Sequence, residues 1–239
     1  FSGNLAGLVF QAIKKVEGDV DTFVIFGAAH RYMGREAAIY DRGAWVSPLG
    51  EIAIDEELAD VIASVDHVSR DEDCHCDEHS IEVQVPFIQE LFGDCKIVPV
   101  LVGPVSVAVD IGREVGRIVA EMEDKKVVCI ASTDLTHYGP QYGFCPQGSG
   151  AAGIKWAKEV NDMKFIDLAL KMESVGVLEA AEENMNACGP GAAAAVIAAA
   201  KAMGKNEGIL LGHTHSDEVM REKYGRHSEE SVGYAAIVY

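Results

Sequence analysis

Histidines stand beside carboxylates and one thiol at several points of this chain, in patterns that could hold a transition metal or move protons. His30 follows an apolar run at residues 22–26 (TFVIF), and His137 lies in the STDLTHYG segment at 132–139, after a second apolar run at 126–131. His79 stands in DEHSIE, residues 77–82. Imidazole titrates near neutrality and is a common metal ligand. Glu78 and Asp134 lie close enough in sequence to orient the neighbouring rings. A third group, His213-Thr214-His215-Ser216-Asp217-Glu218, follows a strand predicted at 209–211. Convergence of His30 with Glu218 or Asp217 would supply two parts of a 2-His-1-carboxylate face, with positions open for substrate and oxygen on iron(II). Cys188 precedes Gly189-Pro190-Gly191 at the start of an alanine-rich helix. Two readings of it stand side by side: a thiolate stabilised by the helix N-terminus, or a residue in a start shaped only by glycine and proline. Cys74, His75 and Cys76 sit in an acidic run whose spacing does not suit zinc, and the run reads as a solvated loop.

These residues need elements to position them. The runs at 22–26, 96–102 and 126–131 read as buried strands, and the helical spacing at 107–122 makes the last two a βαβ unit, which implies parallel pairing. In such sheets ligands gather beyond the carboxyl ends of strands, where His30 and His137 fall. Residues 37–40 and 44–46 suggest a short hairpin or excursion, with Asp41-Arg42-Gly43 supplying the turn. Helices are expected at 55–65, 79–92 (with Pro86 kinking it), 154–170, 177–183 and 191–203, and strands at 209–211 and 232–238. The expected fold is α/β, a single domain over residues 1–239 with a mostly parallel or mixed sheet and helices on both faces. Leu5, Leu8, Val9, Ala12 and Ile13 put an apolar helical stripe at the very start, so a strand and further residues are expected upstream of Phe1.

Composition narrows the partners. The 239 residues are 49% hydrophobic and 24% charged, with a net charge of −18. That charge disfavours nucleic acid and anionic membrane surfaces, and no apolar run is long enough to span a bilayer. Six scattered cysteines do not form a disulfide framework, so reduced thiols and a cytoplasmic location are expected.

Taken together, the blocks FSG (1–3), VIFGAAH (24–30), DEHSIEVQVP (77–86), IVPVLVG (97–103), STDLTHYG (132–139), Cys188-Gly189 and SVGYAA (231–236) resemble the MEMO family. Its bacterial and archaeal members are also called AmmeMemoRadiSam system protein B, and the family is related to the class III extradiol dioxygenases. Order and spacing agree over essentially the whole chain. The resemblance implies a class III extradiol dioxygenase-like fold and a non-haem metal site. His30 matches a metal-ligand histidine, His137 an acid–base histidine and His79 a further pocket histidine. A third ligand is implied in the loop before the last strand, for which Glu218 or Asp217 is the assignment and His215 the fallback; Asp134 and Cys188 are expected in the pocket. A further ligand histidine of the family, in a Pro-His-Ala-Gly-Tyr segment, falls upstream of Phe1. The implied cofactor is Fe(II), with copper or zinc as alternatives. The implied partners are a small-molecule ligand and a radical S-adenosylmethionine protein. Three functions remain open: an iron-dependent dioxygenase-like or redox protein, a binding or adaptor protein that retains the pocket, and a zinc-type hydrolase.

Overall fold

The computed structural model describes residues 1–31 and 36–239. An opening helix α1 (Gly3–Glu17) leads into strand β1 (Thr22–Ala28), whose β-branched and aromatic side chains are all buried. Then come β2 (Ala37–Ile39), β3 (Ala44–Ser47), β4 (Gly50–Ala53), α2 (Glu56–Ile62) and β5 (Val68–Arg70), followed by α3 (Val85–Phe92), β6 (Lys96–Val102), α4 (Ala108–Ala120) and β7 (Val127–Ala131). The chain continues through β8 (His137–Tyr138), α5 (Ala151–Trp156), a π-helical turn (Ala157–Asp162), α6 (Met163–Leu170), α7 (Ser174–Asn184) and α8 (Pro190–Ala202). It closes with β9 (Ile209–His215), α9 (Ser216–Tyr224) and β10 (Ser231–Val238). Among the described residues no helix is long and apolar enough to cross a membrane.

The α/β expectation holds. A five-stranded mixed sheet runs β5-β2-β6-β1-β7, with β1 parallel to both neighbours and β2 antiparallel to β6. The strands before and after α4 are parallel, as expected, yet they do not pair with each other: β1 lies between them. That arrangement matters for the site. Ala28 is level with Val102, and Phe26 with Ala131, so the loops leaving β1, β6 and β7 emerge along one rim.

Helix α8 is buried along nearly its whole length. Alanine makes this feasible, since small side chains let the backbone approach its neighbours. Gly112 and Gly116, one turn apart on α4, face it at closest range. A Cβ at either would run into the backbone of Ala195 or Ala199. This packing fixes α8 against the sheet, with its N-terminus delivered to the rim.

Several local expectations change. The segment 79–92 is not one kinked helix: a 3-10 turn at Glu82–Gln84 precedes α3, and Pro86 sits in the first turn of α3. Proline is well tolerated there because that N–H has no intrahelical partner. Residues 37–40 and 44–46 do not pair with each other. The first joins the central sheet, while Ala44–Ser47 pairs with Gly50–Ala53. The acidic run at 71–79 is not wholly solvated. His75 is buried, its Nε2 3.2 Å from the Ala38 carbonyl and its ring edge-on to Tyr40 and Trp45. Strand β9 runs four residues further than expected, pairing with β10 through His215 in a three-stranded antiparallel sheet β8-β10-β9. His213 and His215 therefore belong to a strand and not to the loop after it.

Candidate metal centre

Glu78 organises the first half of the site. Its carboxylate is buried and accepts backbone N–H bonds from His30 (2.9 Å), His79 (2.8 Å) and Ser80 (2.9 Å). It also lies 3.0 Å from Nδ1 of His30. Burial pushes this carboxyl up, but the His30 ring and the three backbone donors outweigh it and hold the pKa at about 2. With Nδ1 of His30 committed to Glu78, Nε2 is the ring nitrogen left for other partners. His79 stacks on His30 with centroids 4.9 Å apart and remains largely exposed.

Cys188 organises the second half. It lies in the loop before α8, tied to the loop after β7 by main-chain hydrogen bonds: Cys188 N donates to the Asp134 carbonyl (3.2 Å), and Gly189 N donates to Thr133 Oγ1 (2.8 Å). Only glycine fits at 189, since a Cβ there would come 2.8 Å from that of Ala28. The Asp134 backbone N–H donates to Cys188 Sγ at 3.3 Å. Asp134, His137 and Cys188 place one donor atom each within 4.8 Å of one another. The Asp134 carboxylate is 3.6 Å from Nε2 of His137, too long for a hydrogen bond, and that Nε2 is buried without a hydrogen-bond partner.

The two halves meet at the sulfur. Burial pushes the Cys188 thiol up, yet the rings of His137 and His30 beside it bring it down to about 6. Reciprocally, the Cys188 sulfur, with help from Glu78 and against burial, raises His30 to about 9. Asp134 and then Cys188 raise His137 to about 9. The three groups favour one another's charged forms, the sulfur as thiolate and both rings as imidazolium. A cavity of about 310 Å³ opens over it, lined on one side by His30, His79, Asp134 and Cys188 and on another by Tyr234 and the first turns of α1.

The structure thus brings His30, His79, Asp134 and Cys188 to one cavity, with His137 beside Asp134 and Cys188. Glu218, Asp217 and His215 are engaged elsewhere. Glu218 pairs with Lys158 Nζ at 2.6 Å and accepts from Thr214 Oγ1 and from the backbone N–H of His215 at the start of α9. Asp217 accepts from the Ser228 backbone N–H at 2.7 Å. Both carboxylates are satisfied by polar neighbours, and neither lines the cavity. The donor that does lie beside His30 is Cys188, which was expected in the pocket but not as a ligand. Gln84, which donates to Ser132 Oγ at 2.9 Å, and Tyr234 also line the cavity. Both fall inside the DEHSIEVQVP and SVGYAA blocks, but neither was singled out there as a site residue.

Comparison with known proteins gives the family. A family model described as "Memo-like protein" matches residues 1–238. The chain belongs to the Memo-like family. A MEMO1 family protein of Thermococcus onnurineus is 38% identical over the whole of this chain and 82% of its own length. A MEMO1 family protein of Thermococcus kodakarensis is 39% identical with the same coverage, and one of Methanopyrus kandleri is 37% identical over the whole chain and 79% of its length. Among solved structures, an uncharacterized protein from Escherichia coli K12 superposes with a TM-score of 0.55 at 12% identity, covering 95% of this chain and 91% of that one. At that identity the likeness is one of fold.

Proposed function

We propose that this Memo-like chain binds a redox-capable first-row transition metal at the rim of the sheet, iron(II) first and copper next, through Nε2 of His30 and Sγ of Cys188. The observation that carries the proposal is the ring of His30 itself. Glu78 occupies its Nδ1, which is how metal-ligating histidines are commonly oriented, and its other nitrogen is left to a sulfur already inclined to ionise. The buried Nε2 of His137 has no hydrogen-bond partner, which leaves it open to a molecule entering beside it and not to the metal.

Each residue then has a task. Glu78 fixes the tautomer of His30 and keeps that ring facing the sulfur. His137, held near Asp134, takes or returns a proton at Nε2 beside whatever small molecule enters the cavity. Asp134 holds that ring and stabilises its protonated form. Tyr234 and α1 wall the cavity and limit water. A bound iron or copper ion would supply Lewis acidity or single-electron chemistry. His30 and the Cys188 thiolate give one nitrogen and one sulfur donor, and soft sulfur suits copper(I), zinc and iron. This favours a redox or metal-carrying role over catechol ring cleavage.

The test is metal analysis of anaerobically purified protein. Iron or copper near one per chain is expected, falling at least tenfold in Cys188→Ser and in His30→Ala, with His137→Ala keeping its metal. Undiminished metal in Cys188→Ser would overturn the assignment. Oxygen uptake that depends on added catechol would restore the ring-cleaving reading.

A further inference from the structure

A second constellation of metal-type donors joins the π-helical turn to the antiparallel sheet. Asp162 ends the π turn and is wholly buried. Its Oδ1 accepts the backbone N–H of Thr136 at 3.0 Å, and its Oδ2 lies 2.8 Å from Nε2 of both His213 and His215. The two histidines are two residues apart on β9, so they project from the same face of the strand.

We propose that Asp162, His213 and His215 form a second metal site, taking a divalent first-row ion such as cobalt, iron, manganese or zinc. The donor set is two imidazoles and one carboxylate, the composition of the facial triad. Its spacing fits as well. Adjacent ligands on an octahedral ion with bonds of about 2.1 Å are about 3.0 Å apart, and each nitrogen here is 2.8 Å from the shared oxygen, with all three donor atoms within 4.8 Å of one another. Both rings aim Nε2 at the oxygen that the backbone leaves uncommitted. The far side of the His215 ring is held, its Nδ1 3.0 Å from Ser231 Oγ, as second-shell partners hold ligating rings. A π turn supplies the carboxylate, and such insertions recur at functional sites. His213, 10% exposed against none for the other two side chains, is the side from which an ion enters.

This site shares no residue with the Cys188 centre, so the two can be separated. Cobalt(II) is titrated anaerobically into the whole chain carrying Cys188→Ser, which removes the thiolate. One ion per chain is expected, with ligand-field bands and no sulfur charge-transfer band. Adding His213→Gln keeps an N–H for Asp162 but removes the ring donor, and a loss of cobalt affinity of at least a hundredfold is expected. A cobalt-dependent rise in Tm in Cys188→Ser, absent from Cys188→Ser carrying His215→Gln, checks the same point by a second variant. No cobalt bound by folded Cys188→Ser, or equal binding with and without the His213 ring, would overturn the proposal and leave the cluster a hydrogen-bonded brace.

Discussion

Cys188 shows how much of a residue's chemistry comes from neighbours far away in sequence. Its local context, a thiol ahead of a helix N-terminus, allows either an inert or a reactive reading. The structure adds His30 and His137 beside it, and their rings overcome burial to bring the thiol to about 6. The thiolate fraction rises with pH, so alkylation of the metal-free protein by iodoacetamide should be half-maximal near pH 6 and level by about pH 7.5. Replacing His137 by Gln removes one of the two stabilising rings and should move the midpoint upward by about one pH unit. A profile still centred near pH 8.5 in the unsubstituted protein would show that the sulfur is not held between two cations. The histidines, Glu78 and Asp134 were legible as candidates because they flank strand ends or each other. Asp162 was not, since nothing in AKEVND marks it as the partner of a strand about fifty residues later.

At the scale of elements, the site depends on how deeply α8 is seated. Its alanines and the two glycines of α4 permit a backbone approach that larger side chains would block. Gly116→Leu should therefore cost about 3 kcal/mol or more by overpacking. The readout is urea unfolding, with Gly204→Ala as no substitute, because Gly204 has positive φ and tests backbone strain instead. A Gly116→Leu protein as stable as the parent would mean the helices can part without loss, and that the α8 N-terminus is not rigidly placed. Strands β1, β6 and β7 were legible from their apolar runs. The extension of β9 through His215 was not. A strand ending His-Thr-His looks like a loop until Asp162 and β10 supply partners for its polar groups.

For the whole molecule, burial of a neutral histidine couples folding to acidity. Burial lowers His75 from 6.5 to about 4, against a smaller opposing effect of its bond to Ala38. The unfolded chain takes up this proton below pH 6.5 and the folded one only near pH 4. The contribution is therefore complete above pH 6.5 and is lost as pH falls towards 4, by about 3 kcal/mol in all. Unfolding free energies at pH 7 and pH 4.5 should fall further for the parent than for His75→Phe, and equal losses would remove His75 from the account. The sequence by itself determined the α/β class, the family and the candidacy of His30, His79, Asp134 and His137, because strand hydrophobicity and local motifs are properties of short segments. Which donors share a site was decided only by the tertiary structure. The parallel register of β1 with β7, and the seating of α8 against α4, bring Cys188 to His30 and His137, while Glu218 is drawn to Lys158. Such meetings depend on packing between distant segments, and no short stretch of the chain encodes them.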